Sequence, residues 1–317
     1  MRRLAQRFDA HQAHQLAAVD AVLEVVGGGT RGHEDGFLSA LQAVQARHEL
    51  PVQDALDKVG EGRDWRQLTV EMETGTGKTY TYLRTMHELA ARYGLDRFVV
   101  VVPGVAIREG VLEQIAATRD HFRALYGCAL EAWVYDSAHV GRLRSFSSDG
   151  PGIRVLILNI EAFNRRGGPR SAANVIHRPH DGLGGLHPIG LIRAARPVVV
   201  LDEPQRIEGE KARQVLPELG ASWTLRYSAT HRRVHNLCYR LDPVAAYDQG
   251  LVKRIEVASV VSEGPGLRVL KVMAAKGGPV ARVLLDGVER TVRAGDGLNG
   301  PNGPSGPSGS ERVRAGP

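Results

Sequence analysis

The chain has 317 residues, 41 Lys and Arg against 35 Asp and Glu, a formal charge of +6, 43% hydrophobic and 24% charged residues. This composition excludes a fully disordered chain and supplies apolar side chains for one large or two modest cores, while +6 is only a hint of a polyanionic partner. The two cysteines, Cys128 and Cys238, lie far apart with no C-x-x-C spacing, which excludes a disulfide scaffold and suits a reducing compartment such as the cytoplasm.

The basic start MRRLAQRFDAHQAHQ leads into no apolar stretch of signal-peptide type. No run in the chain nears the roughly 18–20 apolar residues that span a bilayer, so no membrane partner is expected. Leu16, Val19, Leu23 and Val26 form one helical stripe, which Gly27–Gly29 is expected to stop. Gln67–Thr79, QLTVEMETGTGKT, predicts a short strand, a tight glycine turn and the start of a helix. Tyr80–Arg92 continues that helix with Tyr82, Leu83, Met86 and Leu89 at three- and four-residue spacing. Phe98–Val102, Val155–Leu158 and Val198–Leu201 are continuous apolar runs, the pattern of parallel strands covered on both faces, with Val111–Thr118 a shorter helix. Strand alternating with helix predicts an α/β fold with a mostly parallel sheet. Asn164–Gly190, rich in Gly, Pro, Arg and His, predicts a long exposed loop. Past Val252 the texture turns β-rich: Lys253–Val261, then Ala281–Leu285 and Val288–Val292 flanking the hairpin signal Asp286-Gly287. Asn299–Ser310 contains only Asn, Gly, Pro and Ser and predicts a disordered tail. The expected layout is one domain over 1–250, a β-rich segment over 251–295 and a tail over 296–317.

Two strings carry chemistry. In Thr74–Thr79, TGTGKT, the residues Thr74, Gly75, Thr76 and Gly77 let backbone N–H groups point at phosphate oxygens, and the helix that follows adds positive potential at its N-terminus. Lys78 can reach the β- and γ-phosphates, and the Thr79 hydroxyl can ligate Mg²⁺. Met72 stands where the full G-x-x-x-x-G-K-T pattern has its first glycine. The second string, PVVVLDE (Pro197–Glu203), is a buried strand delivering Asp202 and Glu203 to its C-terminal end, where open α/β sheets place their sites. Nucleotide hydrolysis needs one carboxylate for the metal shell and another to orient or deprotonate water.

METGTGKT, LDEPQRIEG and LRYSATH, in this order, resemble motifs I, II and III of superfamily 2 helicases. The DEPQ form of the acidic string narrows the resemblance to the restriction (Res) subunit of type III restriction–modification enzymes. VVPGVAIREGV (Val101–Val111) is similar to that family's motif Ia, and LNIEAFNR (Leu158–Arg165) sits where motif Ib belongs. YRLDPVAAYDQGLVKRIEV (Tyr239–Val257) resembles the segment leaving the first motor domain, and FDAHQAHQLAAVDAV the adenine-reading region.

The resemblance implies a RecA-like P-loop lobe, the ATP-binding domain of a DNA-translocating helicase-type hydrolase in the bacterial cytoplasm, using ATP and Mg²⁺. Phe8 and Gln15 would read adenine, and Lys78 and Thr79 would bind the triphosphate and metal. Asp202 would hold the metal, Glu203 would act as general base, and Gln205, Ser228 and Thr230 would couple nucleotide state to nucleic-acid grip. Arg108, Asn159, Arg165 and Arg166 would touch the DNA backbone. The implied partners are double-stranded DNA and a modification methyltransferase subunit. The likeness runs from about residue 7 to about residue 260, and neither a Q-x-x-G-R-x-G-R finger string nor a P-D…E-x-K nuclease string occurs in this sequence. The expectation is a first motor lobe with the start of a β-rich insert, weakly active alone. The alternative is a non-catalytic module that docks DNA or a partner.

Overall fold

A computed structural model describes residues 8–30, 33–59, 64–163, 176–207, 209, 216–253, 267–275, 278–285 and 288–293. The chain divides into two compact units, Met1–Val252 and Lys253–Pro317.

The first unit is built on a parallel sheet of seven strands: β1 (Gln67–Met72), β2 (Arg97–Val102), β3 (Leu130–Val134), β4 (Ile153–Asn159), β5 (Val198–Asp202), β6 (Trp223–Ser228) and β7 (Leu237–Leu241). Their order is β3-β4-β2-β5-β6-β1-β7, which puts β5 at the centre. The helices are α1 (Ala13–Gly29), α2 (Glu34–Arg47), α3 (Lys78–Tyr93), α4 (Val105–Tyr126), α5 (Arg142–Ser147), α6 (Pro188–Ala194), α7 (Pro204–Ile207) and α8 (Pro243–Asp248). This is the α/β architecture that the sequence predicts. The continuous apolar runs follow from covering both faces of the sheet. Phe98, Val100 and Val102 join a core with α1 and α3, while their neighbours Val99 and Val101 join a second core with Leu143 and Phe146 of α5 and Ile192 of α6.

Three expectations are refined by the structure. First, α1 ends at Gly29, within the expected Gly27–Gly29 stop, and Gly28 also serves close approach. A Cβ on Gly28 would lie 2.5 Å from the Gly36 carbonyl oxygen and 2.6 Å from the Ala40 Cβ, and one on Gly36 would lie 2.6 Å from the Gly28 carbonyl oxygen. The two helices therefore meet backbone to backbone. Second, the helix expected over Val111–Thr118 spans all of α4, whose exposed charged residues hide its length from an apolar count. Third, the loop expected over Asn164–Gly190 is not exposed throughout. Ile176 and Leu183 are fully buried in the second core, and Pro188 opens α6; residues 164–175 lie outside the described set.

The second unit contributes an antiparallel sheet ordered β10-β9-β8, from β8 (Leu267–Ala275), β9 (Gly278–Leu285) and β10 (Val288–Arg293). Val288 pairs with Leu285, the pairing expected of a hairpin between those runs. Asp286-Gly287, the stretch 254–261 of the expected strand Lys253–Val261, and the tail lie outside the described residues. No helix among the described residues is long and apolar enough to cross a membrane.

Candidate functional site

The turn between β1 and α3 is shaped by two left-handed glycines, Gly75 (φ +87°) and Gly77 (φ +92°). A Cβ on Gly75 would meet nothing, so conformation alone requires glycine there, whereas one on Gly77 would strike the Gln15 amide at 2.3 Å. Met72 is fully buried as the last residue of β1 and packs into the main core, so here the strand extends to the position of the missing first glycine. The carbonyl of Thr76 accepts hydrogen bonds from Gln15 Nε2 at 3.1 Å and His14 Nε2 at 2.9 Å. These bonds fasten α1 to the turn.

Strand β5 delivers Asp202, only 5% exposed, and then Glu203, which sits at φ +55°. A non-glycine residue held there carries backbone strain on the order of 1–3 kcal/mol, and such strain concentrates at working sites. The Glu203 carboxylate is surrounded. Lys78 Nζ lies 3.1 Å from its Oε1, and Gln205 Nε2 donates to its Oε2. The Ser228 hydroxyl lies 3.1 Å from the same Oε2, 2.8 Å from Gln205 Oε1 and 2.9 Å from the Thr230 carbonyl oxygen. One hydroxyl proton serves one of these acceptors at a time, and Thr230 N–H donates back to Ser228 Oγ at 3.2 Å. The topology explains the convergence: β6 lies between β1 and β5 and carries Ser228 to its end. Lys78, Glu203, Gln205, Ser228 and Thr230 thus form one cluster.

The two carboxylates differ in acidity. Burial, reinforced by the charge of Glu203, pushes Asp202 up to about 6 against the opposing Tyr82 hydrogen bond and Lys78 charge. Burial would also raise Glu203, but the Lys78 ammonium with the Gln205 and Ser228 hydrogen bonds together outweigh it and hold that group below its ordinary value. Environments that push paired carboxylates apart mark separate acid–base roles. The donor set also fits Mg²⁺. The Thr79 hydroxyl and the Asp202 carboxylate supply hard oxygen donors. Mg²⁺ favours just this arrangement of one or two protein oxygens completed by phosphates and water.

Beside the turn lies a cleft of about 460 Å³ lined by Phe8, Gln12, Gln15, Gly75, Thr76, Gly77, Tyr80, Gln114, Gly250 and Leu251 among others. Phe8 stacks on Tyr80 with centroids 5.9 Å apart. Phe8 and Gln15, the two expected adenine contacts, are therefore brought to the phosphate turn. Tyr80 and Gln114 belong to no motif in the sequence, and Gly250 and Leu251 lie in the Tyr239–Val257 string without being singled out as cleft residues.

On the other side of β5, the ends of β2 and β4 form a second surface. Asn159 pairs in register with Val102, and its buried Oδ1 has no hydrogen-bond partner. Arg108, in the first turn of α4, lines a cavity of about 440 Å³ with Val134, Tyr135, Asp136, Ser137, Arg142 and Ala162. The buried Tyr135 hydroxyl also lacks a hydrogen-bond partner. Arg142 and Tyr135 were missed by motif reading, because a lone Arg after Gly141 and a strand-end Tyr give no signal. Arg165 and Arg166 lie outside the described residues.

A family model described as "Type III restriction enzyme, res subunit" matches residues 11–233. The type III restriction-modification enzyme EcoPI Res subunit of Escherichia phage P1 is 27% identical over 283 residues, covering 78% of this chain and 28% of the relative. The StyLTI Res subunit of Salmonella typhimurium is 32% identical over 232 residues, covering 61% and 23% respectively. The chain thus spans about a quarter of the length of the curated relatives it matches. A solved structure of a nuclease-deletion mutant of the type ISP restriction-modification enzyme LlaGI, in complex with a DNA substrate mimic, is similar at 11% identity and a TM-score of 0.37, over 68% of this chain and 20% of that one.

Proposed function

The chain belongs to the type III restriction enzyme Res-subunit family, and we propose that it is the ATP-binding lobe of a DNA-translocating, helicase-like motor. The observation that carries this reading is the single hydrogen-bonded cluster in which Lys78, from the phosphate turn, pairs with Glu203, itself bonded to Gln205 and Ser228. Adenine enters the cleft of Phe8 and Gln15, and the triphosphate lies along Thr74–Thr79. Lys78 then turns from Glu203 to the β- and γ-phosphates. Freed of its cation, Glu203 accepts a proton from water as the water oxygen attacks the γ-phosphorus, and the bond to the bridging oxygen breaks toward ADP. Thr79 and Asp202 would hold Mg²⁺, which when bound neutralises phosphate charge. Ser228, which lies within reach of Glu203, Gln205 and the Thr230 carbonyl, is suited to report nucleotide state along β6. Arg108, Asn159, Arg165 and Arg166 are the contacts for duplex DNA, and a modification methyltransferase subunit is the protein partner.

The test is nucleotide binding and phosphate release by the purified 317-residue chain, with and without duplex DNA, beside Lys78→Ala. Mg²⁺-dependent ATP binding that is lost in Lys78→Ala supports the reading. A chain that binds no nucleotide but holds DNA or the methyltransferase subunit equally well in both forms overturns it and is a docking module.

A further inference from the structure

We propose that Tyr82 is a positioning residue of the metal site: its phenol O–H holds Asp202 Oδ2 and leaves Oδ1 to the cation. The inference rests on the nucleotide reading above and deepens it.

Tyr82 is fully buried on α3, and its hydroxyl donates to Asp202 Oδ2 at 3.2 Å. Four residues earlier on the same helix, Lys78 holds Glu203. Side chains at i and i+4 share one helical face, so a single face of α3 grips both members of the acidic pair, Lys78 on the second and Tyr82 on the first. The ring itself cannot swing. It meets Tyr227 edge-on with centroids 5.6 Å apart, and the Tyr227 hydroxyl lies 3.2 Å from Thr85 Oγ1, again on α3.

A buried tyrosine needs some acceptor, and a backbone carbonyl would satisfy a purely structural one. Here the partner is a carboxylate that burial has already stripped of water. A hydrogen bond from a fixed donor orients such a ligand and selects which oxygen stays open, as partners behind metal ligands do elsewhere.

The probe is Mn²⁺, whose free concentration is read by electron paramagnetic resonance in the presence of a non-hydrolysable ATP analogue. The full chain is compared with Tyr82→Phe, Asp202→Asn and the double variant, and analogue binding is also measured in EDTA. Tyr82→Phe keeps the ring and its edge contact, so the expected result is Mn²⁺ affinity reduced about tenfold or more, metal-free analogue affinity within about twofold, and no further loss when Tyr82→Phe is added to Asp202→Asn. Tyr82→His, which keeps a donor, recovers part of the affinity and serves if the phenylalanine variant melts early. Unchanged Mn²⁺ affinity in Tyr82→Phe, or an equal loss of metal-free analogue binding, overturns the role of Tyr82 alone. A wild-type chain that binds neither analogue nor Mn²⁺ overturns the nucleotide site itself and this role with it.

Discussion

Lys78 and Glu203 are paired, Nζ to Oε1 at 3.1 Å, with their side chains only 12% and 21% exposed. The lysine that should meet phosphate is therefore already engaged by the carboxylate that should meet water. A nucleotide entering the site must exchange one anionic partner of Lys78 for another.

Glu203→Gln removes that competitor without changing side-chain size. It is expected to bind ATP as tightly as the parent chain or a few-fold tighter, while phosphate release falls by about 10²–10⁴, the usual contribution of a general base. Lys78→Ala acts oppositely, weakening nucleotide binding itself. Fluorescent-nucleotide titration beside a phosphate-release assay separates the two; an affinity loss in Glu203→Gln would show that the ion pair does not restrain Lys78.

The surface at the ends of β2, β3 and β4 makes a prediction about salt. Arg108→Ala and Arg142→Ala should each weaken duplex binding equally for unrelated sequences. Each should also lower the slope of log Kobs against log salt by about 0.9 for every phosphate that the arginine neutralises. Binding isotherms over a range of KCl concentrations measure this. A change in affinity at constant slope would mean that the arginine touches no phosphate.

The glycine crossing of α1 and α2 predicts a stability loss far from the site. Gly28→Val places carbon 2.5 Å from the Gly36 carbonyl oxygen, and overpacking of that kind costs about 1–3 kcal/mol. In a chain of this size each kcal/mol lowers Tm by about 2–4 °C. Differential scanning calorimetry should show the drop with nucleotide affinity little changed.

Acid sensitivity follows from His87. Burial lowers it to about 4, with the charge of Glu88 opposing, and its ring stacks on Tyr126 at 4.8 Å. Its folded value lies below its unfolded value near 6.5, so between those limits the unfolded chain binds more protons. The stabilisation is present above about 6.5 and is lost as pH falls toward 4. His235 is lowered to about 4 as well, again chiefly by burial, and titrates in the same window. His87→Phe, keeping the stack, should flatten the decline of denaturation midpoints between pH 7 and 4 without abolishing it. An unchanged pH profile would show that His87 takes up its proton in the folded chain as readily as in the unfolded one.

How far the sequence disclosed this molecule depended on what each residue was used for. β2, β4 and β5 are legible because both their faces are covered, so no polar alternation interrupts them. β6 and β7 are not, since WTLRYS and LCYRL interleave Arg, Ser and Thr with apolar residues; Arg226 is buried on Gln67 and Ser228 in the site. Lys78, Asp202, Glu203 and Ser228 are legible as motifs, and the structure brings them together. Tyr82 is not, because a tyrosine in an apolar helical stripe reads as core until its hydroxyl is seen on Asp202. Gly27–Gly29 is legible as the end of α1, but the close approach of Gly28 to Gly36 is not, because a glycine that ends a helix and one that admits a neighbouring backbone look identical in a string of letters.

The left-handed backbone at Glu203 sets a conflict between durability and work. Every glutamate codon is one base change from a glycine codon, and glycine relaxes φ +55° at no steric cost. Of all single substitutions at that position, the one the backbone favours most also deletes the carboxylate facing Lys78. Laboratory selection of this lobe for heat resistance alone should therefore enrich Glu203→Gly and return populations that fold better and hydrolyse nothing.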